Sequence, residues 1–224
     1  MMLWCLHGAL GAYHDWESIF PGARHVDLWS TEPGTDLADW ANQWVTTVAA
    51  EDPHPQLVGY SMGGRLALHA LLAAPALWER ATIVSAHPGL RFGRAERCAR
   101  DQAWLTRFQQ EPFQDVIRDW NAQPVFNEDS TLPPPERFDP RMARCFQQWS
   151  LGNQEPLWDQ LGEITCRVQW VCGEEDTKFS ELGREAVTTL PQGRYLSAPA
   201  CGHRVPWEWE AFASHLVPPL NVRP

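Results

Sequence analysis

The sequence predicts an α/β protein: a mostly parallel sheet of about six strands flanked by helices, with one helical insert after the fourth strand. Three observations carry this. Short β-like runs alternate with helical patterns along the 224 residues. The alternation breaks once, between residue 87 and about residue 160. A serine fenced by glycines, GYSMGGR (59–65), lies between a strand pattern and a helix pattern. Strands alternating with helices imply parallel pairing, because each crossover returns the chain to the same edge of the sheet.

Taken in order, MLWCLH (2–7) reads as the first strand. The opening MMLWCLHG has neither the basic region nor the long apolar core of a signal peptide. ARHVDL (23–28) is the second strand, and a helix is expected near 36–50. PQLVGY (55–60) carries the apolar run of a buried strand and RLALHALLAA is a strong helix former, placing a helix at 61–74. RATIVSA (80–86) is the fourth strand. The insert that follows is rich in Arg, Trp and Gln, contains the PPP of 133–135 and reads as mainly helical. Because it leaves a strand's carboxyl end, it is expected over that edge as a lid. The division is therefore a core of 1–87 and 156–224 and a lid of 88–155. RVQWVC (167–172), a helix at 178–190, GRYLSA (193–198) and a helix at 206–217 complete the pattern. Only the tail PPLNVRP reads as disordered.

Composition narrows the function. A content of 44% hydrophobic and 21% charged residues is that of an ordinary globular protein, and no apolar run approaches the ~20 residues that span a bilayer. The net charge of −10 argues against nucleic acid or an anionic membrane as partner. Six cysteines without any C-x-x-C pair read as buried thiols, with no zinc spacing and no metal site expected. A cytoplasmic enzyme is expected; its oligomeric state is not legible. Residues 91–150 hold nine arginines and nine acids, whereas Lys178 is the chain's single lysine. The planar fork of arginine suits bidentate carboxylate binding, although pairing with local acids accounts for many such residues.

Strand, G-x-S-x-G and helix together form the context of a nucleophile elbow, the serine-bearing turn of the α/β-hydrolase fold. That serine is Ser61. It needs a histidine to take its proton and an acid to orient the histidine, following in the order Ser, acid, His. GEED places Glu174, Glu175 and Asp176 just past the strand RVQWVC, and PACGH places His203 just past GRYLSA. Both loops leave the same edge as Ser61. Of the other histidines, His7 reads as structural, His14, His25, His54, His69 and His215 occupy ordinary loop or helix positions, and His87 stands where it could line a pocket. HGALG (7–11) supplies the second half of an oxyanion hole, the amide of Ala9 facing that of Met62.

These stretches, with LHG (6–8), VGYSMGGR (58–65), HPGL (87–90), AERCARDQAWLTRFQQEP (95–112), DWNAQPVF (119–126), CGEEDTKF (172–179) and CGH (201–203), resemble the α/β-hydrolase-fold lyases of menaquinone and phylloquinone biosynthesis that make 2-succinyl-6-hydroxy-2,4-cyclohexadiene-1-carboxylate (SHCHC). The resemblance runs across nearly the whole chain, and its insert pattern is not shared by generic esterases. It implies a triad of Ser61, Asp176 and His203, with the CGE-x-D-x-KF pattern selecting Asp176 over its glutamate neighbours. It implies carboxylate contacts from Arg65 and Arg97 and pocket walls from Tyr60, Trp120 and Phe126. It also implies pyruvate elimination from a small anionic substrate without a cofactor. Read from the residues alone, Arg97 and Asp101 stand i, i+4 and could pair in solvent. The chain departs from the family in having almost no sequence before the first strand and a shorter insert between Phe126 and Trp149. A further substrate arginine is expected there, with Arg137, Arg141 and Arg144 all candidates. The alternative is a carboxylesterase or C–C bond hydrolase on the same fold.

Overall fold

The computed structural model describes residues 2–30, 32, 35–126 and 135–216. Part of the PPP stretch and the proline-rich tail lie outside the described residues. Six strands form one sheet: β1 (Leu3–Leu6), β2 (Arg24–Val26), β3 (Gln56–Tyr60), β4 (Arg80–Val84), β5 (Arg167–Gly173) and β6 (Gly193–Ala198). Every pairing is parallel, in the order β2-β1-β3-β4-β5-β6. All six expected strands are present.

Side chains alternate between the two faces as strand geometry dictates. Trp4, Leu6, Leu57, Ile83, Val168 and Trp170 point into one core, and Cys5, Val58, Tyr60, Val84 and Val171 into another. The first core is covered by α1 (Leu37–Glu51), α2 (Met62–Ala73) and α5 (Thr177–Thr189). Helix α1 starts where the Asp36 carboxylate accepts the Asp39 amide, an N-cap. The second core is covered by shorter pieces, the 3₁₀ turn Tyr13–Trp16 and the segment 205–216. Large rings make this possible: Trp16, Phe20 and Phe212 are buried there, and Trp207 packs on Trp16 with ring centroids 5.3 Å apart.

The helix expected over 206–217 is broken. Only α6 (Val205–Glu208) and a 3₁₀ turn at Ala213–His215 form, because Trp209 turns extended to pack at a tilt against His215, with ring centroids 4.3 Å apart. The insert is half as expected. It opens with α3 (Arg94–Gln110) and α4 (Phe113–Asn121), but Pro140–Cys145 is 3₁₀ and 147–153 is turns. Its own aromatic cluster, Phe108 with Trp104, Phe113, Trp120, Phe138 and Phe146, fixes it internally.

Candidate active site

Ser61 is placed by backbone geometry that few residues tolerate. It sits between β3 and α2 at φ 52° and ψ −109°, a strained conformation for a residue with a Cβ. Its amide donates to Val84 O at 2.8 Å, which ties the turn to the neighbouring strand. The turn closes only because its neighbours lack side chains. A Cβ on Gly59 would collide with the Gly63 carbonyl, and one on Gly63 with the carbonyls of Leu6 and His7. The glycine fence around the serine is thus a matter of close backbone approach.

His203 and Asp176 meet this serine from two other strand ends. His203 Nε2 lies 3.1 Å from Ser61 Oγ, and its Nδ1 lies 2.6 Å from Asp176 Oδ2. The carboxylate accepts from Nδ1–H, which leaves Nε2 bare to accept from the serine hydroxyl. Asp176 is buried and caps α5 as well, Oδ1 accepting the Phe179 amide at 3.4 Å. Glu174 instead accepts from the Ala200 amide and Glu175 faces solvent. Glu208 secures the histidine's loop by accepting the amides that flank it, Gly202 and Arg204. A serine in this chain can pass its proton to the histidine and attack or deprotonate a bound molecule.

The chain opens on an inner chamber of about 110 Å³, lined by Ala9, Met62, Arg65, His87, Arg97 and Phe179 among others. Ala9 and Met62 both border it, and among the described residues neither of their amides donates to a protein acceptor. The loop carrying Ala9 is held by His7, whose Nδ1 meets Gly8 O at 2.9 Å while Nε2 accepts from the Leu28 amide. Burial pulls the His7 pKa down to about 4, so the ring is neutral. Its role is structural, as expected.

Arg65 is buried in the chamber wall, and burial, then the like charge of Arg97, lowers its pKa to about 9. Among the described residues Arg97 bonds through Nε, donating to both oxygens of Asp101 at 2.8 and 2.9 Å. Asp101 is only 2% exposed and also accepts from Ser150 Oγ, so the pair is not the solvated surface contact that i, i+4 spacing permits. His87 lines the chamber too. Burial, then Lys178 and the nearby arginines, holds its pKa down to about 3, and its Nδ1 accepts the Gly89 amide.

An outer cleft of about 680 Å³ adjoins the chamber; Ala9, Tyr60, Trp120 and Phe126 border both. Tyr60 packs on His203 and Trp207, and Phe126 lies 5.8 Å from the His203 ring. Of the three candidate arginines in the insert, Arg137 lines this cleft. Arg141 is exposed and holds Asp139 through two nitrogens, and Arg144 packs over Trp149. Sequence reasoning missed Phe179, whose ring stands 4.5 Å from His203, and Gln154, whose side chain bonds Arg65. Phe179 could have been found from its place one turn into the helix that Asp176 caps. Gln154 carried no signal.

The family model described as "Alpha/beta hydrolase family" matches residues 5–215. A Serratia proteamaculans protein named 2-succinyl-6-hydroxy-2,4-cyclohexadiene-1-carboxylate synthase is 32% identical, over 88% of this chain and 86% of its own. An Escherichia coli protein of the same name is also 32% identical, over 80% of this chain and 79% of its own. Among solved structures, MenH from S. aureus superposes with a TM-score of 0.81 at 22% identity, covering 92% of this chain and 87% of that one. This last likeness bears on the fold alone.

Proposed function

This chain belongs to the alpha/beta hydrolase family and, within it, to the relatives of SHCHC synthase, and from that premise we propose that it is a carbon–oxygen lyase forming SHCHC by pyruvate elimination in menaquinone or phylloquinone biosynthesis. The observation that carries this proposal is the pairing of two features in one chamber: a Ser61–His203–Asp176 chain and, on its wall, two arginines facing the same space. A plain ester pocket has no use for a buried guanidinium such as that of Arg65, which is costly to keep without an anion.

In the proposed reaction, Asp176 holds His203 with its proton on Nδ1, and Nε2 takes the Ser61 proton. Ser61 Oγ then removes a proton from the substrate. The electron pair of that C–H bond forms the new double bond while the C–O bond to the leaving group breaks. Pyruvate departs as its enolate, which is reprotonated, and the triad returns to its starting state. The amides of Ala9 and Met62 face the developing negative charge, a contribution of roughly 3–4 kcal/mol per donor in comparable sites. Arg65 and Arg97 take substrate carboxylates, and Tyr60, Trp120 and Phe126 form the walls. The chamber's 110 Å³ has room for about four waters' worth of atoms, so a larger substrate extends into the outer cleft, where Arg137 meets its remaining carboxylate. The insert of 88–155 acts as the lid over these two spaces.

No metal or organic cofactor enters this chemistry. The proposed partner is a small anionic molecule, and the proposed setting is the cytoplasm. No helix among the described residues is long and apolar enough to cross a membrane. The test is incubation with the pyruvate-releasing substrate and detection of pyruvate; no release by folded protein sinks the proposal. The Ser61–His203 contact equally suits a serine esterase. Rapid turnover of p-nitrophenyl acetate without pyruvate release would favour that second reading.

A further inference from the structure

Arg65 is a buried cation that the fold has surrounded with neutral acceptors. Its Nε donates to Gln154 Oε1 at 2.7 Å and its Nη2 to the Trp149 carbonyl at 2.5 Å. Among the described residues no carboxylate lies within ion-pair distance of it. Asp101, the acid that acts on it electrostatically, is committed to Arg97 and Ser150. A buried guanidinium is ordinarily matched by a carboxylate, because an unmatched charge away from water is expensive. Here the position facing Arg65 Nε, where a glutamate would complete a salt bridge, holds glutamine.

Gln154 is itself placed with unusual definition. It is 2% exposed, and its amide Nε2 is buried without a hydrogen-bond partner among the described residues. A guanidinium only donates, so the amide must turn its oxygen to Arg65 and leave the nitrogen unsatisfied. A glutamate would satisfy Arg65 better and would leave no orphaned N–H. The local electrostatics are therefore better served by the acid, yet the acid is absent.

We propose that Gln154 is a positioning residue that fixes the Arg65 guanidinium by a neutral hydrogen bond, so that Arg65 meets the substrate's carboxylate with its charge uncompensated. The inference rests on the proposal that Arg65 binds a substrate carboxylate. Gln154 and the Trp149 carbonyl hold Nε and Nη2 from the insert side, and Arg65 borders the chamber. The insert then contributes to anion binding through a residue that does not border the chamber. The glutamine-for-glutamate choice sets affinity for an anion and leaves the proton-transfer chain alone.

The test compares Gln154→Glu and Gln154→Met with the parent in four measurements: melting temperature, labelling of Ser61 by a fluorophosphonate, KM and kcat for pyruvate release, and calorimetric titration with succinate, a simple dicarboxylate. Gln154→Glu is expected to melt at or above the parent temperature and label at the parent rate. Its KM should rise tenfold or more, kcat should change by less than about threefold, and succinate should bind at least tenfold more weakly. Gln154→Met, which removes the acceptor without adding charge, should raise KM by a smaller factor and melt lower. A Gln154→Glu protein that keeps the parent KM and succinate affinity overturns the proposal, since Gln154 is then only packing. If Gln154→Glu does not fold, an unchanged KM and succinate affinity in Gln154→Met overturns it just as well. Should the parent bind succinate but release no pyruvate, the proposed reaction fails while the succinate titrations still decide the role of Gln154. A parent that binds no succinate and no substrate overturns both.

Discussion

Ser61 and His203 come from strand ends far apart in sequence, yet stand 3.1 Å apart with Asp176 behind them. If they form one proton-transfer chain, Ser61→Ala and His203→Ala each lower kcat by about 10³-fold or more, and the double variant is scarcely worse. Losses that multiply would show that the two act separately. Arg97 carries a compound prediction, because Asp101 is buried beneath it. Among the described residues Arg97→Ala leaves that carboxylate with Ser150 Oγ as its remaining side-chain partner, so stability falls by about 1–3 kcal/mol. The same variant should lower kcat/KM for the anionic substrate by about tenfold to several hundredfold, the worth of a charge-assisted hydrogen bond. Chemical denaturation and steady-state kinetics read the two effects separately; wild-type kcat/KM would leave Arg97 a purely structural residue. At this scale residue type and strand-end position pointed to Ser61 and His203, whereas Asp176 shared its loop with Glu174 and Glu175 and was singled out only by the resemblance to the family's CGE-x-D-x-KF pattern. The sequence did not disclose Gln154, because a contact between positions 65 and 154 follows no local period and depends on how the insert folds back.

The elbow shows how an element imposes itself on chemistry. Helix α2 can approach β1 closely only because position 63 has no Cβ. Gly63→Ala must push α2 away from the Leu6 and His7 carbonyls, an overpacking cost of about 1–3 kcal/mol. The same shift carries the Met62 amide away from that of Ala9, so kcat is expected to fall even in protein that remains folded at assay temperature. A variant with parental kcat and a lower melting temperature would separate the elbow's packing from any oxyanion contribution. The strands and α1, α2 and α5 were legible since period and apolar content agree in each. The second half of the insert and the segment 205–216 were not. There, tryptophan and phenylalanine side chains decide the backbone path through tertiary contacts, as Trp209 does against His215, and no helical or strand period survives.

At the scale of the whole molecule, the parallel topology gathers every strand's carboxyl end at one edge, and this is why serine, acid and histidine converge there in the order the chain supplies them. The same burial that builds the two cores leaves three histidines neutral inside the protein. Burial is the leading cause in each case, lowering His7 and His69 to about 4 and His87 to about 3. The charge of Arg65 adds to the effect at His69, and those of Lys178, Arg65, Arg97 and Arg91 add to it at His87. Their unfolded values lie near 6.5, so between about pH 5 and 6.5 the unfolded chain binds protons at these sites that the folded chain refuses. Stability is therefore fully present above about pH 6.5 and is lost as pH falls towards the folded values. Each such proton contributes about 1.4 kcal/mol per pH unit, hence about 4 kcal/mol per pH unit from the three together near pH 5. His69 offers the cleanest control, because it lies on α2 outside the chamber and its Nε2 is buried without a partner among the described residues. Replacing it by glutamine should reduce the slope of unfolding free energy against pH by about one proton while leaving the other two contributions intact. Urea denaturation at half-unit steps from pH 5 to 7 reads that slope directly, and an unchanged slope in the variant would mean that His69 takes up its proton as readily folded as unfolded.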